Sequence, residues 1–114
     1  IMTEIFIEDR HLAELTEIFK KLSPKALVWA FGSRTDGSAH PGSDLDLAIV
    51  EYGGEKPNYM ELKEALVESN IPFLIDIFEL DRLPESFQRE IKRSFVVLYD
   101  GREKENPEMP GDGE

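Results

Sequence analysis

Asp44 and Asp46 stand two residues apart where a turn-rich stretch gives way to the apolar run DLDLAIV. On a strand, that spacing puts both carboxylates on one face, with α-carbons roughly 6.6 Å apart. Side chains of this length can converge on a pair of divalent ions about 4 Å apart, an arrangement suited to phosphoryl chemistry. Leu45 and Leu47 then turn the other way, into a core. Without a cation, two like charges on one face repel, and at least one carboxyl holds its proton more tightly. Oxygen ligands in a chain without cysteine favour Mg²⁺ or Mn²⁺ over zinc. A third acid, Asp76, interrupts the apolar segment FLIDIF. An isolated carboxylate in such a run must be paired, neutral, at a strand end or liganded. If the strands carrying Asp46 and Asp76 are neighbours, the three acids form one cluster.

Gly32 and Ser33 precede this cluster, with ten residues between Ser33 and Asp44. Glycine lets a bulky group approach the backbone. If a helical turn starts there, free amide groups face whatever occupies the loop, which suits a phosphate. The Ser33 hydroxyl adds a donor, and the planar fork of Arg34 matches paired phosphate oxygens. Electrostatics then call for metal. Three aspartates and a nucleoside triphosphate repel each other in a chain of formal charge −11. Two Mg²⁺ ions would leave the loaded site at roughly −3, with Arg34 reducing it further.

The elements that must hold these groups follow from periodicity. Residues 8–22 carry Leu12, Leu15, Ile18, Phe19 and Leu22 at helical spacing, with His11 on the polar side. Residues 26–31 (ALVWAF) read as a strand buried on both faces, with Trp29 and Phe31 in the core. Residues 32–43 are loop, His40 exposed within it. Residues 44–50 read as a second strand and 58–68 as a helix with Met60, Leu62, Ala65 and Leu66 inward. Residues 72–80 read as a third strand, 83–93 as a helix and 95–99 as a fourth strand. Alternating helices and strands predict an α/β (α+β) layer, a small mixed β-sheet flanked by helices, over residues 1–100. Residues 101–114 read as an acidic, disordered tail.

Composition narrows the function further. The 114 residues supply one domain's core. Thirteen basic residues against 24 acidic ones exclude a general nucleic-acid binder and an anionic membrane surface. No apolar run approaches the ~20 residues of a membrane span, and no secretory signal is read. With no cysteine, disulfide scaffolds and thiol nucleophiles are excluded. These features point to the cytoplasm.

The stretch AFGSRTDGSAHPGSDLDLAIV, with Asp76 in LIDIFEL, resembles the minimal nucleotidyltransferase (MNT) group of the DNA polymerase β-like nucleotidyltransferase superfamily. Gly32, Ser33, Arg34, Gly37, Ser43, Asp44 and Asp46 fall in the family's pattern, and the resemblance spans roughly residues 8–100. It implies the polymerase β-like fold without extra domains, and transfer of a nucleoside monophosphate from a triphosphate such as ATP to a hydroxyl. Carried over, Asp44 and Asp46 would bind both Mg²⁺ ions. Asp76 would bind the catalytic one and help activate the acceptor, and Gly32, Ser33 and Arg34 would hold the nucleotide. Members of the group often pair with helical HEPN proteins as type VII toxin–antitoxin modules, some adding AMP to a tyrosine of the toxin. A chain this short predicts a shallow, open pocket, so that either base selectivity is poor or a partner completes the site. Two rival readings are an antitoxin that works by binding alone and an aminoglycoside-type small-molecule transferase.

Overall fold

The run with no charged residue takes an interior place in the sheet. In the computed structural model, which describes residues 5–36 and 43–102 apart from the side chains of Ser33 and Asp36, β1 (Leu27–Phe31) lies between β2 (Leu45–Glu51) and β4 (Val96–Asp100). Both neighbours run antiparallel to it. β3 (Ile75–Glu79) joins the far side of β2 in parallel, giving the order β3-β2-β1-β4. A parallel neighbour needs a crossover, and α3 (Tyr59–Val67) supplies it. The remaining elements are α1 (Asp9–Leu22), the single turn α2 (Ser33–Asp36), α4 (Glu85–Arg93) and a 3₁₀ turn at Leu80–Arg82. The mixed sheet flanked by helices is the expected fold class. The expectations for Gly37, His40 and the tail from 103 onward fall outside the described residues.

Period-two alternation divides β2 cleanly. Leu45, Leu47 and Ile49 join the larger core with Leu15 and Phe19 of α1 and Leu62 and Leu66 of α3. Ala48 and Val50 face the other way, with Phe31, Phe78 and Ile91 of α4. Asp46 shares this second face. Helices thus cover the sheet on both sides, and the acids sit where the second cover stops.

Three details depart from the periodicity reading. His11 is buried rather than on the polar side, because it stands one turn from Leu15 and two from Phe19, and its ring meets Phe73 edge-on at 6.0 Å. Met60 is 65% exposed and not inward. Leu62 and Leu66 fix the buried stripe of α3, and a residue two places from Leu62 points away from it. The third strand starts at Ile75, not at 72. Pro72 has no amide hydrogen to donate, and Leu74 is 70% exposed on a sheet edge.

The far ends of the parallel pair are clasped. Tyr52, just beyond β2, donates its hydroxyl to the Glu79 carboxylate at the end of β3. Lys56 Nζ (3.1 Å) and Arg82 Nε (2.8 Å) reach the same group. The hydrogen bond from Tyr52, aided by Lys56 against the opposing burial, holds Glu79 below the usual carboxylate range. Burial and then Glu79 push the Tyr52 phenol up. From α3, Tyr59 Oη donates to the Ile77 carbonyl at 2.7 Å. Tyr52→Phe should therefore cost about 1–2 kcal/mol at neutral pH, lowering the melting temperature by at least about 4 °C. A depressed carboxylate contributes stability above its unfolded pKa and loses it as pH falls through the folded value. The gap between wild type and variant in thermal melts should thus close in acid.

Candidate active site

The sheet register brings two of the acids together directly. Asp46 and Asp76 are cross-strand partners in the parallel β2–β3 pair. Asp44 stands one residue ahead of β2, where a hydrogen bond from Leu45 N to Leu74 O (2.9 Å) extends the ladder. Phe31 is the partner of Asp46 on the other side, so Asp46 lies between the end of β1 and the start of β3. Asp44 and Asp76 are exposed and Asp46 is half-buried. Asp76 resolves its apolar context by lying near the start of an edge strand, open to water.

Gly32 closes the site from the β1 side. Its φ is +87°, a left-handed conformation that suits glycine. A Cβ built there would lie 2.6 Å from Asp46 Oδ2. Any larger residue would thus be strained twice, by its backbone and by the carboxylate against it. Thr35 holds the turn. Its backbone N–H (3.0 Å) and its hydroxyl (2.8 Å) both donate to the Gly32 carbonyl. Sequence reading passed Thr35 over, although a threonine three residues past a glycine is a common turn signal. Ser33 opens α2, and its side chain lies outside the described part of the structure.

Electrostatically the three acids are one group. Burial, then Asp76, then Asp44 raise the Asp46 carboxyl above its ordinary value. Among the described residues, no three acidic or imidazole side chains stand close enough together to hold a metal ion as they are placed. The donor chemistry nonetheless suits a hard divalent cation: the donors are all oxygen, and a bound positive charge would offset both the burial and the two neighbouring acids that raise Asp46.

Arg34 does not stand open beside the loop. It is 3% exposed. Its Nε donates to the Ser43 carbonyl at 2.9 Å and its Nη1 to the Phe6 carbonyl at 2.6 Å. The guanidinium carbon lies 3.8 Å from the centre of the Phe73 ring. Burial lowers its pKa, and Asp44 opposes that shift.

Open clefts flank the acids. One of about 300 Å³ lies on the Gly32 side, walled by Phe31, Phe87 and Glu90. Another of about 500 Å³ starts at Asp44 and runs along Val67, Ile71 and Leu74. A cleft of about 540 Å³ between Lys25 and Tyr52 lies at the opposite end of the strands and is lined by none of the three acids.

Comparison with known proteins gives the family and the fold. The family described as Polymerase beta, Nucleotidyltransferase matches residues 13–104. The chain is 38% identical over 101 residues to a protein of Haemophilus influenzae named probable protein adenylyltransferase MntA, spanning 85% of this chain and 86% of that one. A crystal structure described as a toxin-antitoxin with AMP-PNP shares the fold at a TM-score of 0.62 and 19% identity, covering 78% of this chain and 73% of its own. Among the described residues, no helix is long and apolar enough to cross a membrane. A match across most of the chain, together with a close relative over nearly its full length, settles the ancestry: this chain belongs to the polymerase β nucleotidyltransferase family.

Proposed function

We propose that this protein transfers AMP from ATP to a hydroxyl of a partner protein, a tyrosine of a HEPN toxin, and so serves as the antitoxin of a type VII pair. The observation that carries the reading is the Asp46–Asp76 partnership beside Gly32, with Asp44 just ahead of it. The relative named as a protein adenylyltransferase supports a protein acceptor.

In this reading Asp44, Asp46 and Asp76 hold two Mg²⁺ ions, which would neutralise the triphosphate and the charge that develops on transfer. Gly32 and Ser33 place the triphosphate on the β1 side. Asp76, on the sheet edge, accepts a hydrogen bond from the acceptor hydroxyl. As the hydroxyl gives up its proton to the Asp76 carboxylate, its oxygen forms a bond to the α-phosphorus, the bond from that phosphorus to the bridging oxygen breaks, and pyrophosphate leaves. The cleft leading from Asp44 is walled by aliphatic side chains, including Val67 at 82% and Leu74 at 70% exposure. Such walls suit a polypeptide acceptor better than a polycationic aminoglycoside, which needs polar and acidic walls.

Asp44→Asn keeps the shape and removes a charge. It should cut AMP transfer from α-labelled ATP to the co-expressed partner by at least ~10²-fold while leaving the far-UV spectrum unchanged. EDTA should do the same to wild type. Undiminished labelling by the folded variant would refute the assignment, and neutralisation of the partner without labelling would favour binding alone.

Stability should move the other way. An acid whose folded pKa is raised destabilises the fold as pH rises through that value, because the native state is forced to release a proton it holds tightly. In EDTA at neutral pH, Asp46→Asn should therefore melt about 2–4 °C above wild type, the shift expected from roughly half a kcal/mol of relieved repulsion. Wild type should gain from added Mg²⁺ at neutral pH and gain less in acid, whereas Asp46→Asn should gain little at either. Thermal melts across pH, with and without Mg²⁺, check both signs.

A further inference from the structure

Arg34 stands in the loop motif, yet its guanidinium is buried and faces backbone carbonyls. Among the described residues, it meets three separate stretches of chain. Ser43 is the residue before Asp44, and its carbonyl takes the Nε bond. Phe73 is three residues before Asp76, and its ring lies flat against the cation at 3.8 Å. Phe6 precedes α1. Its carbonyl takes the Nη1 bond, and its own N–H donates to the Arg34 carbonyl at 2.7 Å. The Leu45–Leu74 hydrogen bond joins the same two stretches again, two residues past Ser43 and one past Phe73. The edge-on contact of His11 packs Phe73 from another side.

We propose that Arg34 is a positioning residue for the carboxylates rather than a clamp on phosphate: it ties the segment leading to Asp44 to the segment leading to Asp76 and so sets the spacing of the acids. This rests on the reading that those acids hold divalent metal. The physical case has two parts. A planar fork can donate in two fixed directions while its face stacks on a ring, which the single ammonium of lysine cannot do. The Arg34 Nε and Nη1 are also committed to backbone carbonyls, and the cleft of about 340 Å³ that Arg34 lines with Phe6, His11 and Phe73 includes none of the three acids. Each of the two approach segments would otherwise lead to its acid from outside a strand, since β2 starts at Leu45 and β3 at Ile75.

The test uses Mn²⁺ alone, without nucleotide, titrated into the full chain and followed by the loss of the free-ion paramagnetic signal. Simple electrostatics and positioning predict opposite signs. Arg34→Met removes a positive charge near Asp44, so a cation acting only through its field would leave the variant binding Mn²⁺ more tightly. Positioning predicts weaker binding, by about 10-fold or more, the usual effect of removing a group that orients metal ligands. Arg34→Lys keeps the charge but not the fork and should fall between. Phe73→Leu, which removes the ring and keeps an apolar side chain, should weaken Mn²⁺ binding in the same direction. A folded Arg34→Met with unchanged or tighter Mn²⁺ binding overturns the proposal, as does unchanged binding in a folded Arg34→Lys if the methionine variant does not fold. A wild-type chain that binds no Mn²⁺ removes the metal reading itself, and this proposal with it.

Discussion

The structure turns on a repulsion it cannot avoid. The parallel register of β2 and β3 sets Asp46 against Asp76, and Asp44 stands at the head of the same face. Like charges on one sheet face are unfavourable, and burial first, then Asp76 and Asp44, raise the carboxyl of Asp46. The rest of the fold keeps the acids from parting. Helices pack both faces of the sheet. Gly32 brings the end of β1 so close to Asp46 that even a methyl group would meet its carboxylate at 2.6 Å. At the other end of the strands, Tyr52, Lys56 and Arg82 converge on Glu79. That end is satisfied charge by charge. Among the described residues, the site end gathers three acids with Arg34 near Asp44, and a cation bound there would add to stability as well as to chemistry.

Much of this was legible because several signals had one physical meaning. The D-L-D pattern at the head of an apolar run could only split acid from core by period two, and β2 does so, with Leu45, Leu47 and Ile49 inward and Asp46 on the other face. The adjacency of the second and third strands was an inference, since nothing local to either segment encodes its neighbour. The crossover helix between them makes it natural, and the structure contains it. The overlong third strand failed for a related reason. Apolarity at 72–74 says that the residues avoid water on average, not that they pair, and on an edge Leu74 remains exposed.

Arg34 and His11 mark the limit of local reading. Both are polar residues whose roles depend on Phe73, some 40 and 60 positions along the chain. An arginine in a loop beside a glycine looks like an anion ligand, because that is what its fork suits when it is exposed. The same fork suits two backbone carbonyls when it is buried, and only the tertiary structure decides which. His11 was assigned to the polar side by residue type, although its four-residue spacing from Leu15 and Phe19 already placed it on the buried stripe. Periodicity was the better guide there, and chemical character misled.

The two sides of the acid cluster differ in kind, and that difference bears on how transfer can proceed. Toward β1 the floor of the site is backbone, with Gly32 held by Thr35 and close against Asp46 beneath a cleft of about 300 Å³. Toward β3 it is an open edge, with Asp76 and Leu74 exposed and an aliphatic cleft leading away from Asp44. A phosphorus atom held between them would be approached by its incoming oxygen from one side and lose its leaving group toward the other, as in-line displacement requires. The rigid side suits the group that must be placed the same way in every turnover. The open side suits an acceptor too large to be enclosed, whose own surface must supply the missing wall and exclude water. In the proposed function, a small chain would hold the phosphoryl chemistry and leave acceptor recognition to surface complementarity at the exposed β3 edge.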